Sequence, residues 1–253
     1  MTASSFRDRA RPAAGIFLLV VLWQALSAFY GPLIFPSPAE TLRALGRLAA
    51  GRELWEMAAV TMGRGLAGFA FAAVLGTPVG LALGFSRKLE GAFWPALVAI
   101  QTTPLVSWLL LAMIWFGLTG TVPVFIVAVT TLPLIVINTY HGVKSMDPAL
   151  AEMARFFRVK KKRIIAEVYL PQLVPFMLAG FSAALGATWK AVAMAELFSS
   201  RSGIGAGMSV ARMNLETADI FALTLVLVAL GLVSDRLLMC LAKRKFHNGG
   251  GGR

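Results

Sequence analysis

Between Glu90 and Lys144 the chain carries no Asp, Glu, Lys or Arg. As one helix this run would extend roughly 80 Å at about 1.5 Å per residue, far beyond a hydrocarbon core of about 30 Å. It must fold back within an apolar environment. The stretch GLTGTVP, residues 117–123, supplies the glycines and proline for a turn, which predicts two spans of about 20–25 residues each. The composition agrees, with 58% hydrophobic residues, 14% charged residues and a mean hydropathy of +0.75. Those values belong to a membrane protein. Further apolar stretches at 12–30, 60–85, 173–197 and 218–240 bring the expectation to about six spans in an all-α bundle. The last is free of charge only from Ile220 to Ser234.

Several kinds of chemistry lack their residues. One cysteine, Cys240, makes no internal disulfide, and His141 and His247 alone make no metal site. No Gly-x4-Gly-Lys-Ser/Thr run exists to bind ATP. SRSGIGAGM, residues 200–208, is rich in glycine but follows no strand, and reads as a re-entrant turn lining a cavity. A membrane-embedded hydrolase or protease would need a nucleophile beside a base, or paired carboxylates, within the spans. A secondary transporter driven by an ion gradient would favour buried carboxylates on several spans, and only Glu196 approaches that.

The net charge of +12 is unevenly placed. Arg87, Lys88, Lys144, the cations of residues 151–171 and those of both chain ends fall on one side of a six-span layout. Arg43, Arg47, Arg52, Arg64, Arg201 and Arg212 fall on the other. The positive-inside rule then makes both termini and the loop 141–172 cytoplasmic. The clustered charge suits membrane lipid, and no nucleic-acid partner is expected. The opening RDRARPAAGIFLLVVLWQALSAFY has the outline of a signal peptide ending near Ala25-Leu26-Ser27, but its apolar part is long enough to span. The layout is therefore a cytoplasmic segment 1–11, a membrane domain 12–245 and a low-complexity tail 246–253. On the opposite side, IFPSPAETLRALGRLAAGRELWEMAA predicts an interfacial helix. Ser37 is its N-cap, Pro38 its first residue, Glu40 completes a capping box, and Leu42, Leu45 and Leu48 recur at helical spacing.

The loop VKSMDPALAEMARFFRVKKKRIIAEVYLP predicts a knob of two short helices. Asp147 caps the first, with Pro148 at its start and Leu150, Met153, Ala154 and Phe157 near one face. The second begins near Val159 or Lys160 and ends before Pro171. Exposed Met and Phe on such a knob suit a helix-in-groove partner.

The motif Glu152-Met153-Ala154, then Arg158, then Val168-Tyr169-Leu170-Pro171 resembles the signature of binding-protein-dependent ABC importer permeases, Glu-Ala-Ala, three residues, Gly, nine residues, Ile-x-Leu-Pro. Phe35-Pro36-Ser37-Pro38, Trp115-Phe116-Gly117, Trp189 with Ala195-Glu196, and Ser202-Gly203-Ile204-Gly205 extend the resemblance to the nitrate, sulfonate and taurine branch. The resemblance implies a type I importer fold like that of the methionine and molybdate permeases. It also implies a homodimer with the pathway at its two-fold interface, cytoplasmic ATPase subunits that bind ATP and Mg, and a periplasmic or lipid-anchored binding protein. This chain itself would hold no cofactor and catalyse nothing. Glu152, Met153, Ala154, Phe156, Phe157, Arg158 and Val159 would form the coupling helix and its turn. Arg158 stands where the family has glycine, and a shifted turn is expected there, since a left-handed arginine costs about 1 kcal/mol.

Candidate pathway residues fall in two spans. Gln101, Thr102, Thr103 and Ser107 surround Pro104, which opens a helix for polar contacts, either with substrate or between helices. Trp189, Lys190 and Glu196 lie in the fifth span. Lys190 and Glu196 are separated by about 240° around a helix and need separate partners. Glu196 is expected to reach water at the outer end, while Lys190 either snorkels or faces the pathway and draws an anion. His141 reads as an interfacial residue. The solute implied is a small anion such as a sulfonate, taurine or nitrate, with a vitamin precursor related to pyrimidine, thiamine or riboflavin as the alternative.

Overall fold

The structure, a computed structural model, describes the backbone of residues 3–247 and the side chains of residues 15 and 17–242. The expected tail 246–253 lies outside that range from residue 248 onward. The helices are α1 (Ala3–Tyr30), α2 (Pro38–Ala50), α3 (Arg52–Phe85), α4 (Arg87–Thr102), α5 (Leu105–Phe116), α6 (Thr121–Lys144), α7 (Pro148–Phe156), α8 (Lys161–Ile164), α9 (Leu170–Ser199), α10 (Ile204–Met213) and α11 (Thr217–His247). A π turn, Ile165–Tyr169, joins α8 to α9. No strand occurs among the described residues.

Among the described residues, α3, α6, the continuous run from α8 through α9, and α11 are each long and apolar enough to cross a membrane. The span expected around Pro104 is broken: α4 and α5 meet at 93°. Proline disfavours helical backbone in the residue before it, and Thr103 is accordingly extended at φ −65° and ψ 128°. The Thr103 hydroxyl donates to the Ala99 carbonyl at 2.7 Å and that of Thr102 to Val98 at 2.9 Å, so carbonyls at the helix end keep donors in an apolar setting. The expected first span is helical, but its apolar part is the shorter Phe17–Tyr30.

α6 is the centre of the bundle, packed between α3 and α9. Small residues recur along α3 where the backbones meet. A Cβ added at Gly68 would lie 2.6 Å from the Val124 carbonyl, and one at Gly80 would lie 2.7 Å from that of Val136. On the other flank, a Cβ at Gly142 would lie 2.8 Å from Leu173, and one at Gly180 would lie 2.7 Å from Asn138. Close backbone approach of this kind gives van der Waals packing that apolar burial alone does not supply between helices in lipid. Gly80→Ala is therefore expected to cost about 1–3 kcal/mol by overpacking. Thermal unfolding in detergent checks this, with Gly91→Ala as control, because nothing lies within 4 Å of a Cβ added there.

α2 begins as its sequence predicts. The Ser37 N–H donates to Glu40 Oε2 at 2.7 Å, and the Glu40 N–H donates to Ser37 Oγ at 3.2 Å. The bond from the Ser37 backbone N–H, and after it the one that Ser37 Oγ donates to Glu40 Oε2 at 2.8 Å, hold the Glu40 carboxyl below its ordinary value. The cap is thus complete above the ordinary carboxylate value and is lost as pH falls through the depressed one. Leu45 and Leu48 pack with Leu54, Ile204, Met208 and Leu223, which ties α2 to α3, α10 and α11. Leu42 remains exposed.

Candidate functional site

The run from Lys161 to Ser199 holds 39 residues, or about 58 Å at 1.5 Å per residue, so one end projects well past a bilayer core. That end carries the knob. Asp147 accepts from the Ala149 N–H at 2.9 Å to cap α7, and its own N–H donates to Gln172 Oε1 at 2.8 Å. Gln172 Nε2 in turn donates to the Val168 carbonyl at 2.8 Å, so the knob is lashed to the base of α9. Ala151 and Ile164 are buried beneath it. Outward stand Met153, Phe156 and Phe157, exposed by 55%, 83% and 70%, with the two rings edge to face at 5.6 Å. Glu152 is exposed beside them, while Ala154 and Val159 are half-buried.

The turn after α7 keeps the geometry that a glycine would give. Arg158 itself adopts φ +56°, its N–H donates to the Arg155 carbonyl at 2.9 Å, and the Val159 N–H reaches Ala154 at 3.0 Å. These two bonds are the Schellman pattern, with arginine in the left-handed position. The expected shift of the turn does not occur, because the paired bonds offset a backbone cost of about 1 kcal/mol. Arg158→Gly is expected to leave the turn in place and raise stability by up to about 1 kcal/mol, read from thermal unfolding. A second difference is that the second short helix, expected to end before Pro171, runs on from α8 through the π turn into α9. The Leu170 N–H bonds back to Ile165, and this wider turn carries the helix past a ring that would otherwise meet the carbonyl four residues earlier. Nearby, Glu90 accepts from Tyr140 Oη at 2.6 Å and pairs with Lys144 Nζ at 2.7 Å, fastening α4 to α6 at the knob end. His141 is exposed there.

The opposite end holds a buried polar network. Glu196 is fully buried, contrary to the expectation that it reaches water. Its Oε1 pairs with Arg64 Nη1 at 2.9 Å, and its Oε2 accepts from Thr61 Oγ1 at 2.7 Å and from the Gly205 N–H at 3.1 Å. Arg64 also donates to the carbonyl and hydroxyl of Ser202, at 2.7 and 3.0 Å, and the Ile204 N–H donates to Thr61 Oγ1 at 2.8 Å. The network fixes the turn at 200–203 and the start of α10 against α3. Gly203, at φ +103°, takes a backbone that side chains avoid, and a Cβ there would run into the Glu196 carboxylate. Arg64 was legible in principle, since it alone among the cations assigned to that side falls within a predicted span.

The pathway candidates lie in three places. Gln101, Thr102 and Ser107 are exposed at the elbow between α4 and α5, with Thr103 half-buried and Pro104 exposed. Trp189 and Lys190 line a cleft of about 570 Å³ between α9 and α11. Trp189 is largely buried and donates from Nε1 to Ser234 Oγ at 2.9 Å, whereas Lys190 is exposed. Glu196 belongs to the interior network. Sequence reasoning passed over Asp235, which lines the same cleft as Lys190 and accepts from Ser182 Oγ.

The chain is a polytopic helical domain with an anchored apolar knob at one end. Residues 75–247 match the family described as the binding-protein-dependent transport system inner membrane component, and the chain belongs to that family. A putative aliphatic sulfonates transport permease protein of Escherichia coli is 34% identical over 84% of this chain and 81% of its own length. A bicarbonate transport system permease protein of Synechococcus elongatus is 27% identical over 94% of this chain and 89% of its own. Among solved structures, an inward-facing MetNI methionine ABC transporter chain aligns with TM-score 0.56 and 17% identity, covering 75% of this chain and 94% of that one. An amino acid ABC transporter chain aligns with TM-score 0.60 and 16% identity, covering 81% and 97%. The chain therefore has the type I importer permease fold.

Proposed function

We propose that this chain is the pathway-forming subunit of an ATP-driven importer for small anionic solutes, working as a two-fold pair in the bacterial inner membrane. The observation that carries the reading is the lashed knob with Met153, Phe156 and Phe157 held outward, a surface suited to a groove on a cytoplasmic ATPase. The knob end and both termini face the cytoplasm, following the cation bias. ATP and Mg bind to the partner ATPases. When these close, the two knobs are drawn together and the pathway turns outward to meet a binding protein loaded with solute. Hydrolysis resets it inward. The anionic class is supported by relatives named for aliphatic sulfonates and bicarbonate, and by Lys190, a cation exposed in a cleft between spans. Those names give no support to a vitamin precursor.

Purification of the chain from native membranes in mild detergent tests the partner. An ATPase subunit is expected to co-purify in a one-to-one ratio. Recovery of the permease alone, under conditions that keep it folded, contradicts the reading.

A further inference from the structure

Residues 151–171 carry six cations against two glutamates, and the knob holds all six exposed: Arg155, Arg158, Lys160, Lys161, Lys162 and Arg163. One of the six is matched. Arg163 Nε pairs with Glu167 Oε1 at 2.7 Å, whereas the other five have no carboxylate within 4 Å among the described residues. Lys161, Lys162 and Arg163 also open the helical run into α9, where the positive end of the helix dipole favours acids over bases. The chain itself therefore offsets little of their mutual repulsion. Lipid phosphate stands too far away to do so. α6 has 24 residues, about 36 Å at 1.5 Å per residue, enough to cross the hydrocarbon core and end at the headgroups. Its Gly142 is level with the start of α9, since a Cβ added there would lie 2.8 Å from Leu173 and 2.9 Å from Phe176. Lys161 precedes Leu173 by 12 residues, so it stands about 18 Å farther out along the helix. The field of anionic lipid decays over about 8 Å at physiological salt. What the cations do border is the aromatic pair, with Arg155 and Arg158 directly flanking Phe156 and Phe157. An apolar centre with a charged border is the anatomy of a protein interface.

We propose that the five unmatched cations form a border around Met153, Phe156 and Phe157 that meets an acidic margin on the ATPase groove, so that charge sets how fast the permease captures its ATPase. The proposal rests on the reading of the knob as an ATPase docking surface and adds the chemistry of the partner's side, carboxylates around an apolar groove. The two parts of the surface then act on different steps. Aromatic side chains seated in a groove govern dissociation, while border charges act on encounter through a field that salt screens.

The test measures kon and koff for the ATPase subunit that co-purifies with this permease, added back to the full permease chain in phosphatidylcholine nanodiscs at about 50 mM and about 500 mM salt. For the native chain, kon is expected to fall at least about tenfold from low to high salt. The triple variant Lys160→Gln, Lys161→Gln, Lys162→Gln should lower kon at low salt about tenfold and flatten that dependence, with koff within about threefold. The triple variant Lys160→Glu, Lys161→Glu, Lys162→Glu should make kon rise with salt, because like charges then face each other. Lys160→Arg, Lys161→Arg, Lys162→Arg keeps the charge and should match the native rates. A native kon that ignores salt overturns the proposal, and this measurement needs no variant to fold. A Gln variant that associates as fast as the native chain also overturns it, as does an Arg variant as slow as the Gln one, which would place the effect in shape. Cations that matter only when phosphatidylglycerol is added to the nanodiscs serve lipid, and that result overturns it too. ATPase binding at rates indifferent to salt defeats the charged border while leaving the importer standing. A native permease that binds no ATPase defeats the importer reading and the border with it.

Discussion

Arg64→Met is expected to destabilise the protein by about 3–5 kcal/mol, because it leaves the Glu196 carboxylate buried without its countercharge. The same substitution removes two hydrogen bonds to Ser202, so the turn at 200–203 should become open to proteolysis. The size of the effect comes from the surviving partner. Glu196 is fully buried while Arg64 keeps 16% of its side-chain exposure, so the acid bears the desolvation. Glu196→Gln in the Arg64→Met background removes the stranded charge and should recover a substantial part of the loss. Thermal unfolding of the two single variants and the double variant, read as a double-mutant cycle, measures this coupling. Equal stability of Arg64→Met and the double variant would show that the buried charge is not the cause.

Replacing both Phe156 and Phe157 with Asp is expected to weaken ATPase association by at least a hundredfold, with little change in the yield or thermal stability of the permease. The rings are exposed by 83% and 70%, so they contribute little to the fold, and losing about 3 kcal/mol at an aromatic anchor is ordinary for an interface. Ala151→Asp acts on a buried residue beneath the knob and should reduce stability and association together, whereas the Phe pair should separate them.

The parts of this protein governed by local rules were legible in the sequence. Ser37, Pro38 and Glu40 form the capping box they spell, and Asp147 with Pro148 starts α7 as expected. These outcomes depend on residues within a few positions of each other. The elbow at Thr103 and Pro104 was visible only as a proline among polar residues. Pro78, Pro95, Pro133 and Pro175 lie inside helices, so proline alone does not say which site breaks. Arg158 defied its own preference because two hydrogen bonds across the turn outweigh a single strained residue. Glu196 was misplaced for a different reason. Its partners Thr61 and Arg64 are 135 and 132 positions away, and helical spacing along α9 says nothing about what α3 presents to it. Asp235 was hidden in the same way, since it looked like the end of an apolar run until α9 and α11 were seen to enclose one cleft.

Uptake tests the ATP-driven importer most directly. In sealed vesicles carrying the permease and its ATPase, with the cognate binding protein supplied on the face opposite the knob, a labelled alkanesulfonate should accumulate inside only when ATP and Mg are enclosed on the knob side. Accumulation should cease when Phe156 and Phe157 are replaced by Asp. Uptake that proceeds without ATP under an imposed ion gradient, or that ignores the two aromatic residues, would contradict it.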